Sequence, residues 1–223
     1  MGQIITANVA TSLYWLGRYI ERIEKTLYQV IKAYDKVIDV DKDAGVKLYD
    51  NFGIDLKYDN ALEFLNIALT GEHSSNMLTL SGFARENAII SRNHLNNASF
   101  GEIIALHALF QNTTKAHVII DYKIIDDAQS LISEIWGEFA KREHKQNNDY
   151  FIKLGKLVEE VDFYFRFHAE DEYSEIIVGE IHTILDILSG KTASSTSQSQ
   201  KQSGTSSDTM SAIYKKIDTI IIE

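Results

Sequence analysis

The sequence runs for 223 residues without a single proline. At an average usage of about 5%, a chain this long would carry roughly eleven. Helix interiors tolerate proline least, because its ring clashes with the preceding turn and it lacks an N–H. Its absence argues against a loop-rich β fold and against proline-rich linkers, and for a chain that is helical almost throughout. Cysteine is missing as well. That excludes a disulfide framework, thiolate metal sites and cysteine nucleophiles, and it suits a reducing compartment. With 22 Lys and Arg against 32 Asp and Glu, the net charge is −10. Sequence-independent nucleic-acid binding needs a basic footprint, so no nucleic-acid partner is expected.

Apolar spacing supplies the elements. Val9, Leu13, Leu16, Ile20, Ile23, Leu27, Val30, Tyr34 and Val37 follow one another at alternating steps of four and three, which predicts one helix over residues 6–39. Residues 39–53 are polar, hold Gly45 and Gly53, and read as a loop. A shorter helix is predicted over 58–69, and Ser74 or Ser75 is the expected N-cap of the next, running to about Leu95. Ser99-Phe100-Gly101-Glu102 has the form of a capping box and opens helical spacing that reaches Arg142, with a break allowed across Gln111–Lys115. Phe151, Leu154, Val158, Val161 and Phe165 form another seam, and Ile177, Ile181, Ile184 and Leu188 one more. The expected fold class is all-α, a bundle of long antiparallel helices.

Residues 189–208 are rich in Ser, Thr and Gln, carry no large apolar side chain and read as a linker. The chain therefore divides into a helical domain (1–188), this linker, and a short amphipathic segment (209–223). In that segment Met210, Ile213, Ile217 and Ile220 suit a helix, although Ile220-Ile221-Ile222 equally suits a strand. Residues 1–17 carry no charged side chain, but they lack the basic start of a signal peptide and are too short and polar to span a membrane. A match to the myristoylation pattern at Met1–Thr6 rests on only two positions. A cytoplasmic chain with no membrane partner is expected.

Sliding the chain against itself exposes a repeat at an offset of 138 residues. Leu16-Gly17-Arg18-Tyr19-Ile20-Glu21 falls on Leu154-Gly155-Lys156-Leu157-Val158-Glu159, so a Leu-Gly-x-x-x-Glu helix occurs twice. Glycine inside a helix costs roughly 1 kcal/mol relative to alanine, and two at matched positions predict a close helix crossing.

Two charged constellations stand out. On the first helix Gly17 and Glu24 lie at the edge of the apolar seam, while Tyr14, Trp15, Arg18, Glu21, Arg22 and Tyr28 project from the other side. Two large aromatics there predict that this side is partly covered too. Charged groups on a covered face form either a structural ion network or a site, and for an arbitrary helical protein the network is favoured. The second constellation is Ala84-Arg85-Glu86-Asn87-Ala88. Ala84, Ala88, Ser91 and Leu95 make a seam of mostly small residues; Arg85 with Arg92, and Glu86 with Asn93, mark adjacent stripes. Asn87 is a poor mid-helix residue, which points to a specific hydrogen bond. The sequence has no Glu-x-x-His pair, no His-Glu-x-x-His and no glycine-rich phosphate loop, and its seven histidines show no i, i+4 pairing. His168, Glu170 and Asp171 could hold a metal, but a solvated turn is the stronger reading, so no metal is expected.

Leu13-Tyr14-Trp15-Leu16-Gly17-Arg18-Tyr19-Ile20-Glu21-Arg22 resembles the opening motif of the bacterial Alpha-E domain family. Ala84–Ala88 resembles that family's second signature and Phe151–Glu159 its third, so the resemblance covers roughly residues 7–168. It implies an all-helical domain whose genes neighbour or fuse to ATP-grasp-type ligases and transglutaminase-like proteins. It also implies a suspected part in peptide synthesis or modification, without an established activity and with ATP entering only through a partner ligase. Carried onto this sequence, it puts weight on Trp15, Gly17, Arg18, Glu21, Arg22 and Glu24, on Arg85, Glu86, Asn87 and Arg92, and on Gly155 and Glu159. Lys156 and Glu160 stand where the family has arginines, and the chain looks shortened after Phe165.

Three functional expectations follow. In an accessory protein, Trp15, Arg18, Arg22, Glu24, Arg85, Asn87 and Arg92 would bind an acidic or peptide substrate or the partner enzyme. In an enzyme, Glu21, Glu86 or Glu159 would be the general base, with Arg18, Arg22 and Arg85 gripping anionic groups. In a scaffold, the clusters would be internal ion networks. The first is favoured, and catalysis by this chain alone is not expected.

Overall fold

A computed structural model describes residues 5–115, 120–141, 146–167, 172–190 and 206–222. Among these the α-helices are α1 (Ala7–Asp39), α2 (Ala44–Asp50), α3 (Ala61–Thr70), α4 (Met77–Ile90), α5 (Asn97–Thr113), α6 (Tyr122–Ala140), α7 (Asn147–Phe167), α8 (Glu172–Leu188) and α9 (Ser206–Ile222). No strand occurs among the described residues, so the all-α expectation holds. None of the described helices is long and apolar enough to cross a membrane. At 1.5 Å per residue, α1 alone is about 50 Å long.

The element boundaries differ from the predicted ones where short-range chemistry competes. The predicted loop 39–53 contains α2, whose Ala44, Leu48 and Tyr49 are buried. Two turns are too few for apolar periodicity to register. The N-cap of α4 is Asn76, whose side chain accepts from the Thr79 N–H at 2.7 Å, rather than Ser74 or Ser75. α4 ends at Ile90, and a single 3₁₀ turn, Arg92–His94, leads to α5. There Asn96 caps, accepting from the Ser99 N–H at 2.6 Å, so Ser99 is a buried residue within the helix instead of a capping-box start. Asparagine and serine offer the same acceptor, and the sequence shows only that a cap is near. α5 and α6 are separate helices, with Asp121 capping the second. α9 begins inside the predicted linker, residues 191–205 of which lie outside the described residues, and its helix includes Ile220–Ile222.

The chain forms two compact units: residues 1–18 with 145–223, and residues 19–144. In the first unit the opening turns of α1 meet α7 backbone to backbone. A Cβ placed on Gly17 would lie 2.1 Å from the Ile152 carbonyl oxygen, and one on Gly155 would lie 1.9 Å from the Tyr14 carbonyl oxygen. Tyr14 and Ile152 are themselves 138 residues apart, so each glycine packs on the counterpart of the other's contact. Around this crossing Leu154, Val158 and Val161 join Ile177, Ile181 and Ile184 of α8 and Met210, Ile213 and Ile217 of α9. Each such buried side chain contributes about 1.5–3 kcal/mol, so the three from α9 tie that helix to the unit's core.

In the second unit the rest of α1 buries Ile20, Ile23, Leu27 and Val30 completely. Tyr19 packs on Phe83 of α4 with ring centroids 5.2 Å apart, and Tyr34 meets the edge of Tyr122 of α6 at 5.3 Å. Phe64, Leu80, Phe110 and Ile132 complete the core from α3, α4, α5 and α6.

Candidate functional site

The N-terminal motif is divided between the units. In the first unit Arg18 is 6% exposed and its guanidinium reaches α7. Nε donates to Glu159 Oε2 at 2.8 Å, and Nη2 lies 2.7 Å from the same oxygen and 3.2 Å from Asp162 Oδ2. The rings of Tyr14, Trp15 and Tyr214 surround the cation at 6.0, 5.1 and 5.6 Å, so α1 and α9 together box it in aromatic faces. Burial is the largest influence on Arg18 and opposes its charge, but the charge and hydrogen bond of Glu159 together with the Tyr14 and Tyr214 hydroxyls more than offset it and hold the guanidinium more firmly protonated than usual. Burial likewise pushes the Tyr14 hydroxyl well above the ordinary tyrosine range. Of the sequence candidates, Arg18, Glu159 and Trp15 are brought together here. They meet one another and neighbouring side chains, the pattern of a clasp between helices.

The second unit holds the rest of that motif. Glu21 is 1% exposed, with Lys25 Nζ 3.4 Å from its Oε1. Arg22 is half-buried. Glu24 Oε2 accepts from the indole N–H of Trp136 at 2.8 Å, across to α6. Tyr28 is 51% exposed, and Lys32 Nζ lies 4.1 Å above its ring. Between these residues and α6 opens a cleft of about 390 Å³, lined by Glu24, Lys25, Tyr28, Gln129 and Ser133. Of the residues weighted by sequence, only Glu24 lines it. Lys25, Gln129, Ser133 and the supporting Trp136 were missed. Lys25 was legible as the neighbour of Glu24, whereas nothing local links α6 to α1.

The α4 cluster looks outward. Arg85 pairs with its neighbour Glu86, both substantially exposed. Asn87 donates to the Phe83 carbonyl one turn back at 2.8 Å, so its expected specific hydrogen bond is local to the helix. Arg92 and Asn93 fall beyond the end of α4, which removes the predicted stripes seven residues apart. Arg92 instead ties the turn into α5 by donating to the Leu95 carbonyl and the Asn97 side chain, with the Phe100 ring 4.5 Å from its guanidinium. Ser81 Oγ sits 3.2 Å from His107 Nδ1, but the hydroxyl donates to the Leu78 carbonyl and Ser81 is buried. That pair is packing, not a nucleophile and its base.

Among the described residues no group of three His, Cys, Asp or Glu is placed to hold a metal ion. His168, Glu170 and Asp171 lie outside the described residues. A family model, Alpha-E, described as a predicted alpha-helical domain with a conserved ER motif, matches residues 5–208. That match reaches well past Phe165, further than the three motifs extend. Glu21-Arg22 is the single Glu-Arg dipeptide in the sequence, one turn before the cleft residues. No curated protein and no solved structure matches the chain.

Proposed function

The chain belongs to the Alpha-E family, and on that premise we propose that it is a binding partner, not itself catalytic, in a bacterial peptide-modification system built on an ATP-grasp-type ligase or a transglutaminase-like protein. The observation that carries this reading is the open cleft between α1 and α6, furnished with recognition groups of both charges, a hydroxyl and an amide. Binding is favoured over chemistry because each candidate base already has a cation beside it. Glu159 is held by Arg18, Glu86 pairs with Arg85, and Glu21 lies against Lys25. In this reading Arg18 and Glu159 fix the helices that carry the rest of the motif, and ATP enters only through the partner. A cysteine-free chain suits the bacterial cytoplasm.

The test is reconstitution with an ATP-grasp ligase from the same genome. The chain alone is expected to leave ATP intact, to raise amide formation by the ligase, and to lose that effect when Ser133→Trp fills the cleft. ATP turnover by the chain alone, or a ligase indifferent to it, would overturn the reading.

A further inference from the structure

We infer that the cleft between α1 and α6 takes a small zwitterion, bearing one ammonium and one carboxylate on a frame of amino-acid to dipeptide size. The inference rests on the cleft being a binding surface and adds what it binds.

Glu24 and Lys25 are consecutive on α1 and both line the cleft. Successive helical residues leave the axis about 100° apart, so the two charges enter from different directions instead of along one row. The partner that orients Glu24 is the Trp136 indole, a neutral donor that steers the carboxylate without cancelling its charge. Lys25 stays paired with Glu21 at 3.4 Å, and its ammonium, which carries three N–H donors, also lines the cleft, where it can meet a ligand carboxylate as well. Tyr28, the aromatic side of the lining, carries Lys32 over its ring at 4.1 Å. From α6 come only neutral groups, the Gln129 amide and the Ser133 hydroxyl.

A simple anion would meet Glu24, and a simple cation would meet Lys25. Each suffers a repulsion that a ligand of both signs turns into two attractions. At about 390 Å³ the cleft sits at the lower end of the roughly 300–1,000 Å³ typical of small-molecule sites, too small for a long chain.

Trp136 reports on the site directly. The chain has two tryptophans, and their indole N–H resonances can be told apart with Trp15→Phe. The probes are L-glutamine and L-alanyl-L-glutamine, each beside its N-acetyl and its C-terminal amide derivative. A saturable shift of the Trp136 signal is expected, with at least tenfold weaker binding when either charge is blocked. Whichever parent probe saturates at the lower concentration identifies a free amino acid or a short peptide as the source. Glu24→Gln should abolish the preference for a free amine and Lys25→Met the preference for a free carboxylate, while Ser133→Trp should block every probe. If blocked and parent probes bind equally, the zwitterion assignment falls although the cleft remains a binding site. A Trp136 signal unmoved by every probe also overturns it. A Ser133→Trp chain that still stimulates the ligase refutes the proposed function instead, whatever the probes do.

Discussion

Replacing Gly155 with alanine should destabilise the first unit, although alanine is the better helix former. In an open helix the exchange would gain about 1 kcal/mol. Here the new Cβ would lie 1.9 Å from the Tyr14 carbonyl oxygen and 3.0 Å from the Arg18 nitrogen. Both are main-chain atoms of α1 and cannot rotate aside, so the helices must part until a contact of 1.9 Å opens beyond 3.0 Å, more than 1 Å of separation. Overpacking of this kind costs about 1–3 kcal/mol. The same movement stretches the buried Arg18–Glu159 pair from 2.7 Å, and disrupting such a pair costs about 3–5 kcal/mol when complete. With the propensity gain subtracted and the pair strained but not lost, the net loss is about 2–4 kcal/mol, or roughly 5–15 °C in Tm for a chain of this size.

Thermal and urea unfolding followed by circular dichroism would measure it. Gly101→Ala and Gly179→Ala are the controls, because both positions are helical and a Cβ there meets nothing within 4 Å. They should be neutral or gain up to about 1 kcal/mol. Gly17→Ala should lose as much as Gly155→Ala, and the double variant much less than the sum, since one separation relieves both clashes. A Gly155→Ala chain melting at or above wild type, or strictly additive losses, would refute the close crossing.

Arg18→Met should cost about 3–5 kcal/mol in urea unfolding because it strands the buried Glu159 carboxylate, and adding Glu159→Gln should recover much of that loss; a cost under about 1 kcal/mol would show that the guanidinium is not structural. Partial burial holds His73 and His107 below the ordinary imidazole range. The unfolded chain therefore takes up protons from about pH 6.5 while the native state resists, so stability is full above that pH and falls as pH drops. The urea midpoint should be lower at pH 5.5 than at pH 7.5, and less so in His73→Gln, whose replaced ring accepts from the Ser75 N–H; a midpoint rising toward acid would contradict this. A chain stopped after Gly190 should bind a hydrophobic dye, melt lower and shift Trp15 emission to the red, because Ile177 and Ile181 lose the cover of α9 and Arg18 loses the Tyr214 ring. An unchanged melt would mean that α9 contributes nothing to the core.

Much of the fold was legible because helix periodicity is local. The seam from Leu13 to Val37 needs no knowledge of what covers it, and its central residues are fully buried. Even the aromatics on its far side foretold a second covered face, and Tyr14 and Arg18 are buried there. The failures were short or chemically degenerate features: α2 is only two turns long, and Asn76 and Asn96 do the capping that serine could have done. For the site, sequence picked out Glu24, Arg18 and Glu159, though not that the last two pair, and it weighted Arg85, Asn87 and Arg92 as ligand-binding residues. Asn87 satisfies a carbonyl of its own helix, and Arg92 fastens a turn.

By itself, then, the sequence determined that this chain is helical, where its long seams run, and that two glycines 138 residues apart mark a close crossing. Those properties follow from φ restrictions, a 3.6-residue period and the missing Cβ of glycine, all of which act within a few residues. Only the tertiary structure decided which charges are consumed by packing and which line an opening. Glu24 faces the cleft because Trp136, 112 residues away, turns its carboxylate there; Arg18 is enclosed because Tyr214 comes back to cover it. Helix pairing depends on complementarity between distant surfaces, and a one-dimensional pattern carries no term for it.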